Sequence, residues 1–423
     1  MGRKSRGKIG VLVCGLLASA LVTAPAAASA AATAAELQAD LASQLALAGP
    51  HDGAYVYDLT TGAALFSGRA STRRPPASVE KLYTATASLE LLGAPARLST
   101  TVLGVGHLAA GGVWEGNLYL RGGGDPTFGS SGFIRANYGG AGASVSSLVA
   151  QLVRVDGIHH ITGMVLGDES YLDSLRGEPS SGFAPDPFLE GTLSGLAFDR
   201  GASGGSTGRH RPAAYAAHAL WAALKGDGVS IRGRSGTALT PVGAAPLAQV
   251  LSPTTAELLG LMLPPSDNFF AETLLKDLGA RFGGAGTTAA GAAVVSRALA
   301  SLFALHPRVV DGSGLSPADR TSPLEVVSLL SALAPTPIGA VLRTHMAVAG
   351  RTGTLSLRMR HTRAAGRCQG KTGTLTGVSN LAGYCPSANG HTIAFAIFTD
   401  GISTEAAHTF QDHMVISIAD AAP

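Results

Sequence analysis

Three short polar strings, Ser78-Val79-Glu80-Lys81, Ser266-Asp267-Asn268 and Lys371-Thr372-Gly373, lie far apart along the 423-residue chain. Each alone is common, so the information lies in their order, context and chemical fit. Their residue types fit one chemistry, a serine acyl transfer, and if they serve one site the fold must bring three remote stretches to a single pocket.

A serine hydroxyl is a poor nucleophile at neutral pH until a neighbouring base takes its proton. Pro76 precedes a helix-compatible run over 77–90, so positions 78 and 81 lie one turn apart on the same face and the Lys81 amine can reach the Ser78 oxygen. Lysine acts as a base only when part of its population is neutral, which burial and a nearby second cation promote. Lys371 is the candidate for that cation. The chain contains six lysines (4, 8, 81, 225, 276 and 371) against twenty-five arginines, and two of the four lysines beyond residue 30 fall in the strings. Arginine stays protonated at any relevant pH, so lysine is the chemical choice where a proton must move. The plain alternative is that Ser78 and Lys81 decorate a surface helix.

Residues 1–30 read as a secretory signal: Arg3, Lys4, Arg6 and Lys8 precede an apolar stretch over 9–22, followed by Ala28-Ser29-Ala30. The mature chain is expected to begin near Ala31. That apolar stretch is too short for a confident transmembrane helix, and no later segment approaches the roughly 20 apolar residues that span a bilayer. Removing four cations takes the formal charge from +3 to −1 (+3 − 4), so the basic balance of the whole chain is no sign of a nucleic-acid or membrane partner. Cys14 leaves with the signal, and the bulk of Val13 argues against a lipid anchor. Cys368 and Cys385 remain, in an exported chain where a disulfide is permitted. If Thr376-Gly377 is a two-residue hairpin turn, antiparallel register places 368 opposite 385, since 368 + 385 = 376 + 377. A cross-strand disulfide and two free buried thiols are both open readings.

The 393 residues left after the signal (423 − 30) exceed one ordinary core, so two or more domains are expected. No internal repeat is present, and the one glycine-rich stretch is 201–208. A helix is expected over 35–47, then strands over 53–58 and 63–66 joined at Thr61-Gly62. Between 92 and 250 the texture is mostly β, with strands over 101–105, 113–120, 161–166 and 229–231 and a helix over 213–224. Helices are expected over 257–263, 269–278, 288–303 and 323–333, and strands over 366–374, 378–384 and 392–398, before a closing helix over 405–419. The resulting division is 1–30 signal, 31–95 with 252–423 as the domain bearing the strings, and 96–251 as one or two mostly β inserted domains. Ser266-Asp267-Asn268 falls at a junction between helices, where Ser266 or Asn268 could equally be a plain N-cap.

Arg351-Thr352-Gly353-Thr354-Leu355 closely resembles Lys371-Thr372-Gly373-Thr374-Leu375. The second copy is preferred as the third element because it has the lysine and lies in the expected hairpin, whereas the first heads a helix-like segment over 355–360.

With these strings in order, the chain resembles the penicillin-recognising serine enzymes. More narrowly, it is similar to the class C low-molecular-mass penicillin-binding proteins, the D-alanyl-D-alanine carboxypeptidase/endopeptidase family. Supporting strings are Gly122-Gly123-Gly124-Asp125-Pro126-Thr127, Gly167-Asp168-Glu169-Ser170-Tyr171, Asp311-Gly312-Ser313-Gly314-Leu315-Ser316 and Gly370 through Ser379, together with the large insertion between the first two catalytic strings. The resemblance implies an α/β (α+β) fold, an antiparallel sheet with a helical cluster, carrying a mostly β insert shorter than in the larger members. It implies acylation of Ser78 by the penultimate D-Ala of a peptidoglycan stem peptide, with Lys81 as base and Ser266 as proton relay. Asn268 would hold the substrate amide; Lys371, Thr372, Gly373 and Thr374 would border the substrate, with Lys371, Thr372 and Thr374 receiving its carboxylate. The backbone amides of Ser78 and Thr374 would form the oxyanion hole. β-Lactams would be covalent inhibitors, and no cofactor or metal is called for. Asp311-Gly312-Ser313-Gly314 also reads as an ordinary turn and receives no catalytic role. Two rivals share the strings: a serine β-lactamase, for which no convincing loop glutamate is found, and a non-catalytic cell-wall binding protein on the same scaffold.

Overall fold

A computed structural model of the protein describes Gly2 and residues 32–201 and 210–423. The expected signal over 1–30, Cys14 and nearly all of the glycine-rich stretch lie outside the described residues. Residues Ala32–Pro423 form one unit.

The sheet that carries the third string is six-stranded and antiparallel throughout. Its order is Ala347–Val348, Gln369–Leu375, Val378–Pro386, Thr392–Asp400, Gly53–Asp58 and Ala63–Gly68. Strand Val378–Pro386 is buried at every position but the last, and Thr392–Asp400 at every position but its ends, because both faces of the sheet are covered. The two-residue alternation of a strand splits these residues between two cores. Phe395 and Ile397 face Leu37, Leu41 and Leu45 of helix Ala34–Ala48 and Met414, Val415 and Ile418 of helix Thr404–Asp420. Ala394, Ala396 and Phe398 face the other way, into a helical cluster with Leu82, Phe270, Leu329 and Leu330. That cluster holds helices Lys81–Leu91, Thr255–Met262, Asn268–Phe282, Thr288–Phe303 and Pro323–Leu333. Helix Pro323–Leu333 begins as its sequence dictates, with Ser322 and Glu325 in a reciprocal capping box and proline in the first turn.

Between the first two strings the chain builds a second sheet. Strand Arg97–Ala109 pairs antiparallel with Val113–Gly122 on one side and Ala245–Thr254 on the other. The short strands His160–Ile161 and Val165–Asp168 run parallel to Val113–Gly122, and helix Pro212–Gly226 covers the sheet through Ala213, Ala216, Leu220 and Leu224. Three features here differ from expectation. The single strand over 161–166 is broken in two, since Asn117 Oδ1 takes the Met164 amide at 2.8 Å at the break. Strand Ala245–Thr254 escaped a reading that demotes segments with Pro246 and Pro253; it ends the sheet order, where proline is tolerated because one edge needs no ladder donors. Helices Ser131–Tyr138 and Val145–Ala150, too short to show a period, are set by Ser130 and Ser144 as N-caps.

In the helical and sheet regions, helix Pro337–Thr344 was not expected. The helix expected over 355–360 is instead one 3-10 turn, Gly353–Leu355, followed by left-handed backbone at Met359 and His361. Among the described residues no single helix is long and apolar enough to cross a membrane.

Candidate active site

Ser78 sits in a single 3-10 turn, Ala77–Glu80, that runs directly into helix Lys81–Leu91. In this tighter turn, side chains three apart eclipse one another, which suits the pair at 78 and 81 better than the α-helix expected from the sequence. Lys81 Nζ lies 2.9 Å from Ser78 Oγ. Ala77, immediately before Ser78, is held at φ 47°, a left-handed conformation that surrounding packing must enforce. Asn380, on the second strand of the hairpin, supplies part of that packing by donating to the carbonyls of Pro75 and Pro76 at 2.9 and 2.8 Å.

The second string caps helix Asn268–Phe282. Asp267 is the N-cap, its carboxylate accepting the Phe270 amide at 3.0 Å, so the cap falls on neither Ser266 nor Asn268. The two flanking side chains are thereby left for the site. Asn268 Oδ1 accepts from Lys81 Nζ at 2.6 Å, while its Nδ2 donates to the Phe188 carbonyl at 2.8 Å. Arg200 binds the Asp267 carboxylate and lies 5.2 to 5.5 Å from the ring centres of Tyr138, Phe269 and Phe270. Phe188 and Arg200 both come from the stretch between the first two strings, which therefore helps to orient the second string.

Lys371, on strand Gln369–Leu375, donates to Ser266 Oγ at 2.8 Å and to the Thr372 carbonyl at 2.7 Å. Thr372 Oγ1 donates to Thr354 Oγ1 at 2.8 Å, so the competing string over 351–355 packs beside the preferred third string. Gly373 is demanded by proximity: a methyl group there would meet Pro76 O at 2.5 Å and the Ser78 and Val79 amides at 3.0 Å. In the hairpin register Leu375 pairs with Val378 and Thr374 with Ser379. With bonding alternating along an antiparallel ladder and the turn-closing pair bonded, the amides of Thr372 and Thr374 face away from strand Val378–Pro386, toward the strand's open edge. Cys368 and Cys385 form a disulfide across the base of this hairpin.

Ser78, Lys81, Ser266, Asn268, Lys371, Thr372 and Gly373 thus converge, with exposed Thr374 at the open end of the strand. Lys81 and Lys371 are both fully buried. Burial pushes the Lys81 amine down to about 8, against the opposing charges of Asp311, Glu272, Asp267 and Glu190. Lys371 is pushed well below the usual lysine range by burial and then by the charge of Lys81. The charge of Lys81 is thus one of the two causes that lower Lys371, while four acids hold Lys81 up against its burial. The motifs are not the sole reason for buried lysine, since Lys276 is buried against Asp173 at 2.7 Å.

Asp311-Gly312-Ser313-Gly314, read from sequence as a plain turn, belongs to the site. The Ser313 carbonyl accepts from Lys81 Nζ at 2.8 Å. Its two glycines beside an aspartate were the available signal, but a main-chain acceptor leaves no side-chain signature at its own position.

The chain matches the D-Ala-D-Ala carboxypeptidase 3 (S13) family over residues 33–185 and 195–421. It belongs to that family. It is 30% identical to the D-alanyl-D-alanine carboxypeptidase of Actinomadura sp. (strain R39), over 89% of this chain and 82% of that protein. It is also 30% identical to carboxypeptidase DacB of Mycolicibacterium smegmatis, over 84% of this chain and 78% of that protein. The crystal structure of penicillin binding protein 4 from Haemophilus influenzae shares the fold, with a TM-score of 0.75 at 22% identity over 89% of this chain and 97% of that one. This S13-family protein is a serine-type D-alanyl-D-alanine carboxypeptidase on a mixed α/β fold of the penicillin-binding kind.

Proposed function

We propose that Ser78 is the acylated residue and Lys81 the base that activates it. The carrying observation is the bonding of Lys81 Nζ: Asn268 Oδ1 at 2.6 Å and Ser313 O at 2.8 Å can only accept, while Ser78 Oγ at 2.9 Å can donate. A neutral amine has two N–H donors and one lone pair. Those three partners suit it when the lone pair takes the Ser78 proton, and they suit the ammonium with its three donors once that proton has been taken.

In the forward step Ser78 Oγ attacks the carbonyl of the penultimate D-Ala of a peptidoglycan stem peptide and its proton passes to Lys81. The oxyanion accepts from the amides of Ser78 and Thr374. Collapse breaks the peptide bond, and the departing D-Ala amine takes, relayed by Ser266, the proton that Lys81 received, leaving Lys81 neutral to accept a proton from the hydrolytic water and return it to Ser78; Ser266 is held by Lys371. Water then attacks the ester, giving the shortened peptide and free Ser78. Lys371, Thr372 and Thr374 receive the terminal carboxylate. An incoming carboxylate favours the charged form of Lys371, so substrate binding is coupled to proton uptake there. Asn268, besides fixing Lys81, holds the substrate amide. An endopeptidase reaction needs the same groups and differs only in what leaves.

β-Lactams, whose strained amide meets the same nucleophile, acylate Ser78 in this reading, as befits a fold whose Haemophilus influenzae counterpart was crystallised with a β-lactam. Export through residues 1–30, and a division into 31–95 with 252–423 around an insert over 96–251, complete the proposal. Incubation with benzylpenicillin followed by peptide mass spectrometry is expected to place one adduct on the peptide containing Ser78. Defined monomeric muropeptides are expected to lose terminal D-Ala, and cross-linked ones report the endopeptidase share. Absence of an adduct from folded protein would leave a non-catalytic binding protein, and rapid turnover of a chromogenic cephalosporin would leave a β-lactamase.

A further inference from the structure

The turn that presents the Ser313 carbonyl is fixed from several sides. Asp311 accepts the amides of Gly314 and Ser316 at 2.6 and 2.7 Å. Thr84 Oγ1, one turn along from Lys81, donates to the Gly312 carbonyl at 2.9 Å. Gly314, at φ 80°, packs under the nucleophile turn so closely that a methyl group there would stand 1.9 Å from Ala77 O. The remaining constraint is Glu272. Its Oε1 accepts the amides of both Gly312 and Ser313, at 2.9 and 2.7 Å, from a fully buried position.

Glu272 follows Asn268 by four residues on helix Asn268–Phe282, so the two side chains share one face. That helix therefore controls both fixed acceptors of the Lys81 amine. Asn268 supplies one directly; Glu272 holds the other through the amide of Ser313 itself and that of Gly312, while Asp311 takes the Gly314 amide of the peptide unit that carries the carbonyl. A buried carboxyl group is costly unless it is hydrogen-bonded or neutral. Here burial and the charge of Asp311 raise the Glu272 carboxyl to about 8, in a cluster with buried Glu80, Asp311 and Asp319. A fold needing only a helix-to-turn contact has cheaper solutions than this one.

We propose that Glu272 is a positioning residue for acylation: it fixes the Ser313 carbonyl, and through it aims the Lys81 lone pair at Ser78. The inference rests on the reading of Lys81 as base. It assigns Glu272 no contact with substrate, so its loss is felt in the chemical step and not in binding. Misaiming a base by a fraction of an ångström to an ångström costs on the order of 10²-fold.

The test compares Glu272→Ala, Glu272→Gln and Lys81→Arg with the parent in acylation by a fluorescent penicillin and in D-Ala release, with thermal unfolding alongside. Glu272→Ala is expected to lose about 10²-fold in kcat with KM within about threefold. Glu272→Gln keeps an acceptor oxygen at the same reach and is expected to recover most of that loss. If Glu272→Ala, assayed below its unfolding temperature, acylates at the parental rate, the positioning role is wrong. Equal losses in the Ala and Gln variants, in proportion to lost stability, also overturn it, since they mark a purely structural residue. Should Lys81→Arg acylate like the parent, the base assignment itself fails, whatever the 272 variants do.

Discussion

Lys81 Nζ and Asn268 Oδ1 are 2.6 Å apart although 187 positions separate the residues, and this bond joins the first string to the second. It ties the orientation of the amine to the helix that begins at Asn268, so the base proposed here is aimed by a rigid element and not by a loop.

Replacing either end of the proton transfer is therefore expected to be severe. Ser78→Ala removes the nucleophile, and Lys81→Arg substitutes a cation that cannot take a proton and whose planar group does not match the three partners of Nζ. Each variant is expected to lower the penicillin acylation rate by at least about 10³-fold while circular dichroism stays parental. A Lys81→Arg enzyme that acylates normally would remove lysine from the mechanism.

Acylation should rise with pH across the neutral range. The active form of Lys81 is the neutral amine; with its pKa lowered to about 8 by burial, that fraction grows as pH climbs through about 8 and is small below about 7. Lys371 is pushed well below the usual lysine range by burial and the charge of Lys81, and an incoming carboxylate favours its charged form. Substrate affinity is accordingly expected to weaken with rising pH while the rate of acylation increases. Stopped-flow acylation from pH 6 to 9, resolved into binding and rate, checks both slopes; a flat or falling acylation rate overturns the first.

Much of this arrangement was legible in the residues. Proline before a helix-compatible run located the nucleophile turn, and the pairing of Thr376-Gly377 with two flanking apolar runs located the hairpin that bears Lys371. Side chains that do chemistry must be of particular types, so strings expose them. The Ser313 carbonyl is chemically the same at every residue type, and nothing at 313 announces it. Glu272 lay inside an amphipathic helix, where a lone acid reads as a solvated face; only the turn packed over it from 40 positions away shows its use. The stretch between the first two strings was least legible, because its parallel strands are short and break the hairpin pattern, and Phe188 and Arg200 act through a carbonyl and a buried cation.

Gly373→Ala probes the clearance between the third string and the nucleophile turn. The new methyl would fall 2.5 Å from Pro76 O and 3.0 Å from two amides, all backbone, so no side chain can rotate away. Either the strand or the turn must move, at a cost of about 1–3 kcal/mol in stability. The amides of Ser78 and Thr374 would separate with it. Acylation is expected to fall by about 10²-fold, with unfolding measured by denaturant titration; parental acylation would show that the strand is not held against the turn.

The hairpin register places Gln369 opposite Tyr384, which brings the preceding and following residues, Cys368 and Cys385, face to face at the base of the strand that carries Lys371. Both are buried, and the bond between them closes a loop with a sequence separation of 17. A loop of that size restricts the unfolded chain enough to stabilise the fold by about 3 kcal/mol. Because the bond lies outside the polar site, its removal is expected to act on stability first and on the alignment of Lys371 second. Cys368→Ser with Cys385→Ser should lower the unfolding free energy by about that amount while retaining measurable acylation at low temperature. Thiol titration of the denatured mature protein is expected to find no free thiol before reduction and two after it. Two free thiols without reductant would show that the cysteines are packed but unbonded, and the double serine variant would then cost only the change in packing.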